Sequence, residues 1–307
     1  MKKIIIITAL KIMGFGHAMA QPLQYFMQRG STNIAAVSEV QTLQTFLSGG
    51  QSLQGFEGAP RHILLNVASP LTVMDGLTNG NSSNRSKRSH SSVDEPSRNF
   101  TSVTISHESF GAHSNFSATL GYNYRMLISD NANLTFGLGG GVKSTGSNYG
   151  KHEPGTEPYD RKETSFATQI GARFEMDRLN VSVFTNAGDY FGELVWGRLW
   201  DGGTSGRDDG GWNDFGEKSW HGQVAVLGRY SPGTKENTIR IAANAVYKDG
   251  LGVGISYGTG NDLSANASFR FTKHLRIGYA YQLLHFNPIA RKHEIAIRYR
   301  FVRKVED

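Results

Sequence analysis

The sequence predicts an all-β transmembrane β-barrel of about 14 antiparallel strands, and three observations carry that prediction. Segments of alternating polarity follow one another along most of the chain with short turns between them. Within those segments the large apolar residues fall on one side and the arginines on the other. After the first twenty residues no stretch is apolar enough for a membrane helix, although the chain holds 17 Phe, 12 Tyr and 37 Gly at a mean hydropathy of −0.38.

Met1–Ala20 opens with Lys2 and Lys3, continues through the apolar run Ile4–Leu10 and ends in Ala18-Met19-Ala20. That order of charge, apolar run and small-x-small site predicts a secretory signal peptide cleaved after Ala20. Lys11 interrupts the run, which is too short to span a bilayer. The expected destination is the bacterial outer membrane. With no cysteine in the chain, disulfides, thiolate metal sites and a lipidated N-terminal Cys are excluded together. A net charge of +6 from scattered Lys and Arg gives no support to nucleic-acid binding.

Residues 21–40 are a mixed polar lead-in, readable as a plug, a periplasmic arm or a loosely packed start; as a domain they are taken as a periplasmic lead-in. The barrel domain is expected over 41–301, followed by a C-terminal tail, 302–307. Its strands are predicted at Gln41–Ser48, Arg61–Ser69, Thr101–His107, Asn115–Leu127, Asn133–Lys143, Thr164–Glu175 and Asn180–Ala187. A doubtful one lies near Phe191–Trp200. The rest are Trp220–Tyr230, Thr238–Tyr247, Leu251–Tyr257, Asp262–Phe271, His274–Gln282 and His293–Phe301. The tract 79–99 is dominated by Ser, Asn, Arg and Lys and lacks the apolar residues that offset ordering entropy, so it reads as a disordered polar insertion on the periplasmic side. Tight connections such as Met176–Leu179 and Lys248–Gly250 against longer ones such as Ser144–Glu163 suggest short turns on one rim and longer loops on the other.

Period-two strands assign each residue a face, and a lipid-facing charge costs about 2–4 kcal/mol at the bilayer midplane. With the large apolar residues outside, Arg125, Arg173, Arg229, Arg240, Arg270, Arg276, Arg298 and Arg300 are all predicted to face the lumen. The outer face then carries Phe116, Leu120, Tyr122 and Tyr124 in one strand, Leu251, Val253, Ile255 and Tyr257 in another, and Leu263, Phe269 and Phe271 in a third. A secreted β-sandwich also alternates, but it pairs its apolar face with a second sheet and uses shorter strands. The inward arginines are expected to steer anions through a pore or to pair with lumen carboxylates such as Glu175 and Glu294. In either case, closing the barrel requires His293–Phe301 to pair with Gln41–Ser48.

No motif points to an enzyme, a cofactor or a metal. Asp201, Asp208, Asp209 and Asp214 lie in the Gly-rich stretch 201–217, but their spacing matches no calcium loop. Gly137, Gly139, Gly140 and Gly141 lack the Lys-Ser pair and helix of a phosphate loop and read as thinning of a barrel wall. Neither His107 with His113 nor His285 with His293 has ligand spacing, and no G-x-S-x-G elbow is present.

Three segments carry a family resemblance. Gln54-Gly55-Phe56-Glu57-Gly58-Ala59-Pro60-Arg61 resembles the signature loop of the PorP/SprF family of the Bacteroidota type IX secretion and gliding-motility machinery, with Leu53 in place of its aromatic. Tyr247–Tyr257 is similar to a hairpin of that family. Leu275–Tyr281 followed by His293-Glu294-Ile295 and Arg298–Phe301 is similar to its C-terminal ending. The resemblance implies a non-enzymatic barrel for protein secretion, embedded in outer-membrane lipid. It would receive or anchor an exported adhesin-type cargo protein bearing the second kind of type IX C-terminal domain, and contact peptidoglycan-linked periplasmic components. The family's Asn-Pro-Ala repeat near the mature start is replaced here by Thr32-Asn33-Ile34-Ala35-Ala36. A passive, anion-preferring porin is the alternative.

Overall fold

The computed structural model describes residues 25–39, 42–52, 59–71, 98–129, 131–148, 161–186, 188–197, 220–233, 235–247, 250–259, 262–284 and 292–301. A helix, α1 (Tyr25–Thr32), and a 3₁₀ turn, Ile34–Glu39, precede fourteen strands. These are β1 (Gln44–Ser52), β2 (Arg61–Pro70), β3 (Asn99–Phe110), β4 (His113–Ser129), β5 (Ala132–Ser147), β6 (Arg161–Met176) and β7 (Leu179–Asn186). They continue with β8 (Asp189–Gly197), β9 (Trp220–Ser231), β10 (Glu236–Tyr247), β11 (Leu251–Gly258), β12 (Asp262–Arg270), β13 (Leu275–Leu284) and β14 (Lys292–Arg300).

Every strand pairs antiparallel with its sequence neighbours, and β14 returns to β1 in a register from Gln44↔Arg300 to Ser52↔Lys292. The barrel is therefore closed. Most strand ends differ from the sequence reading by a few residues, and three of the differences matter here. The first strand starts at Gln44 rather than Gln41 and runs on to Ser52. The doubtful segment is β8, Asp189–Gly197. Asn99 belongs to β3, pairing with Tyr124, so the polar tract ends before it. The predicted signal peptide, residues 79–97, the stretch 201–217 and residues 302–307 lie outside the described residues.

Alternation sets the faces. Along β11, exposed and buried residues alternate without a break from Leu251 to Gly258. Leu120 (62 % exposed), Ile170, Val183 and Ile255 belong to a belt of large apolar side chains around the outside. Such a belt fits a hydrocarbon surrounding rather than water. Arginine in place of Leu120 is expected to destabilise the barrel by about 2–4 kcal/mol, and at the strand-end Ser129 by at most about 1 kcal/mol. Urea titration of heat-modifiable migration in lipid vesicles reads the difference.

The chain enters β1 and leaves β14 at one rim. The tight connections β4–β5, β6–β7, β10–β11 and β12–β13 turn at that rim, and the strand pairs β2–β3 and β8–β9, separated in sequence by 71–98 and 198–219, also meet there. The expected division into a short-turn rim and a long-loop rim is thus modified: the two longest connections share the rim of the termini. At the far rim the wall is uneven. β4, β5 and β6 have 17, 16 and 16 residues, against 8 in β7. Tight turns join them at the near rim, so the surplus rises on the far side.

Candidate functional site: the occupied lumen

The side chains of Met27–Val37 that are described sit inside the barrel, so this lead-in occupies the lumen. Its local fold centres on Asn33. The Asn33 N–H donates to Arg29 O at 2.8 Å as α1 ends, and Asn33 Oδ1 accepts the Ala35 N–H at 3.0 Å, capping the 3₁₀ turn. The side-chain amide faces the wall. Asn33 Nδ2 donates to Ser182 Oγ at 2.8 Å on β7 and to Glu193 Oε2 at 2.7 Å on β8.

Glu193 gathers the rest of this network. Its Oε1 accepts Arg29 Nε at 2.6 Å, and its Oε2 also accepts Ser182 Oγ at 2.6 Å. The Arg29 and Glu193 side chains are 3 % and 0 % exposed. An ion pair this dry depends on its close partner, and the carboxylate gains further hydrogen bonds from Asn33 and Ser182. One carboxylate thus ties the helix, the turn and two strands together.

Apolar packing completes the fit. Ile34, Ala35, Ala36 and Val37 are buried, and Ile34 lies in a recess made by three inward glycines. A Cβ at Gly121, Gly137 or Gly171 would stand 2.3, 3.0 or 2.9 Å from an Ile34 side-chain carbon. Gly137 and Gly171 are direct cross-strand partners. The first glycine of the run read as wall thinning therefore makes room for Ile34 and Ala35. Val37 packs with Ala68 and Phe100, and Met27 with Phe46 of β1 and Ala296 of β14.

The eight predicted lumen arginines take inward positions. Arg173, Arg240, Arg276 and Arg298 are buried, while Arg125, Arg229, Arg270 and Arg300 are partly buried. Several meet carboxylates or amides directly. Arg229 Nη2 lies 2.6 Å from Asp189 Oδ2, Arg173 Nη2 lies 3.3 Å from Glu175 Oε2, and Arg173 Nε donates to Asn180 Oδ1 at 2.7 Å. Arg240 pairs with Asp262, whose Oδ2 also accepts Gln282 Nε2 at 2.6 Å. Glu294 is fully buried, 3.5 Å from His62 Nε2. Charges so paired line the wall without leaving it uniformly cationic.

Of the family-like loop, Gly55, Phe56, Glu57 and Gly58 lie outside the described residues; Ala59 is buried, and Pro60 O accepts the Ser52 N–H at 2.9 Å. His107 and His293 point outward on β3 and β14, and His293 Nδ1 lies 2.5 Å from Tyr279 OH. Among the described residues no group of three His, Asp or Glu is placed to hold a metal.

No protein-family model and no curated protein matches the chain. The outer membrane protein Omp33 of Acinetobacter baumannii is similar with a TM-score of 0.47 at 9 % identity, covering 85 % of this chain and 99 % of that one. A variant of the Rh. blastica porin is similar with a TM-score of 0.36 at 9 % identity, over the same shares. At this level of similarity, nothing of those proteins' activity transfers.

Sequence patterning does not single out the residues that hold the lead-in. Arg29, Asn33, Ser182 and Glu193 carry no shared motif, and their partners lie far apart in sequence. The one local signal is Ile34-Ala35-Ala36-Val37, an apolar run inside a polar segment.

Proposed function

We propose that this chain is an outer-membrane β-barrel without enzymatic activity that receives or anchors an exported surface protein, in the manner of the PorP/SprF family that three of its segments resemble. The observation that supports this reading is the occupied lumen. A lumen that holds its own lead-in against β2–β8 and is lined with paired charges narrows the aqueous path for solutes, which favours work done at the rims and outer wall. Of the family-like segments, one leads into β2, one forms the β10–β11 hairpin and one forms β13 and β14. The exported cargo would meet the rim opposite the termini, and peptidoglycan-linked periplasmic components the rim of the termini.

Cell fractionation followed by pull-down of the intact complex tests this. The expected result is a heat-modifiable outer-membrane protein that brings down an exported adhesin-type protein. A soluble periplasmic product, or a barrel that never co-purifies with an exported protein, overturns it. The inward arginines favour a second reading, an anion-preferring channel. In planar bilayers the intact protein is expected to be silent; a steady anion-selective current would establish the channel instead.

A further inference from the structure

The wall that rises at the far rim ends in an open sheet edge. β7 stops at Asn186, opposite Gln169, whereas β6 continues upward to Arg161. Residues 161–168 of β6 pair with β5, from Ser147↔Arg161 to Gly140↔Thr168, and have no strand on their other side among the described residues. Arg161 through Phe166 are exposed on both faces. The outer apolar rows end at Phe116, Val142 and Phe166; beyond them the outward positions are Ser114, Ser144, Thr164 and Lys162. This ribbon therefore stands clear of the apolar belt, in water.

The open side carries regular donors. Ile170 directs its N–H towards β7, donating to Thr185 Oγ1 at 3.1 Å. Alternate residues of a strand point their N–H and C=O groups the same way, so Lys162, Thr164, Phe166 and Thr168 present theirs to the uncovered side. A row of unpaired backbone groups is a template for a further strand. Its charges select the kind of strand: Arg161 and Lys162 outnumber Glu163, and Lys162 is the one charged residue at the outward positions of 162–168, which favours a segment with carboxylates.

We infer that the upper part of β6 is a docking edge on which an extended, acidic segment of a partner protein adds to the sheet as a further strand. The anchoring role proposed above supplies the source of that segment, an exported protein at the cell surface; the edge itself stands on the register and the charges.

The test uses the full chain in detergent micelles and two capped peptides, one alternating Val and Glu, the other alternating Val and Lys. The Val–Glu peptide is expected to bind, by fluorescence anisotropy, and to slow hydrogen exchange at the amides of Lys162, Thr164 and Phe166. Thr164→Pro removes one outward donor while keeping the ladder to β5, as proline does on an edge strand, and is expected to weaken binding about tenfold. Lys162→Glu keeps every backbone donor and is expected to shift preference to the Val–Lys peptide. Heat-modifiable migration confirms that each variant retains its barrel. No binding, equal binding of both peptides, or binding untouched by both substitutions overturns the inference. So does protection of those amides before peptide is added in a protein that runs as a dimer, which would make a second copy the occupant. Pull-down of an exported protein is scored separately, so either proposal can fail while the other stands.

Discussion

Replacing Glu193 by alanine is expected to unseat the N-terminal segment from the lumen. The change strips Arg29 of its counter-ion and removes the acceptor shared by Asn33 and Ser182, at sites with almost no exposure. Breaking a buried pair by removing one member costs about 3–5 kcal/mol, because the remaining charge stays desolvated without the partner that balanced it. The ladders of β7 and β8 do not depend on that side chain, so the loss falls on the lead-in rather than on closure. Two measurements follow it. Trypsin should cleave after Arg29 in the variant and not in the parent, and planar bilayers should show current steps where the parent is silent. Glu193→Gln, which keeps the acceptor oxygen and loses the charge, is expected to lie between the two. Parent-like protection in the alanine variant would show that this network does not hold the segment.

Gly121→Val is the second large expected effect, acting through volume instead of charge. Its Cβ alone would stand 2.3 Å from Ile34 Cδ1 and 2.7 Å from Ser102 Oγ, before the branch methyls are counted. Overfilling a packed site costs about 1–3 kcal/mol when neighbours cannot yield, and Ile34 is hemmed in by the strands carrying Gly137 and Gly171. The variant should show the same tryptic cut after Arg29. Adding Ile34→Ala removes the obstructing carbon and should restore protection, giving a coupling of opposite sign to the single changes. Failure of that rescue would mean that the glycine recess is not what seats Ile34.

How far the strands were legible depended on whether a face had one chemistry. In β11, Leu251, Val253, Ile255 and Tyr257 are separated by Gly252, Gly254 and Ser256, and the period declares itself. In β8 it does not. There the inward positions hold Phe191 and Val195 and an outward one holds Gly192, because β7–β10 enclose a small apolar cluster of Phe184, Val195, Ala225, Leu227 and Ala242. Phe191 stacks on Phe184 with ring centroids 4.8 Å apart. Lipid outside and an apolar patch inside erase the contrast on which the alternation test relies. The pairing of Arg173 with Glu175 lay within one strand and was open to sequence reasoning. That of Arg29 with Glu193 was not, since a residue's partner across a barrel depends on how the lead-in is seated.

Met27 touches both sides of the closing seam, packing on Phe46 of β1 and Ala296 of β14. The lead-in runs directly into β1, so this contact joins the first strand to the last through a residue that belongs to neither. Its consequence concerns the order of assembly. In a chain that seats its lead-in first, β1 zips to β14 over a side chain already in place, whereas a chain that seats it late must close that ladder without it. Removing Met27 should therefore tell first in the rate at which newly inserted barrels become heat-modifiable.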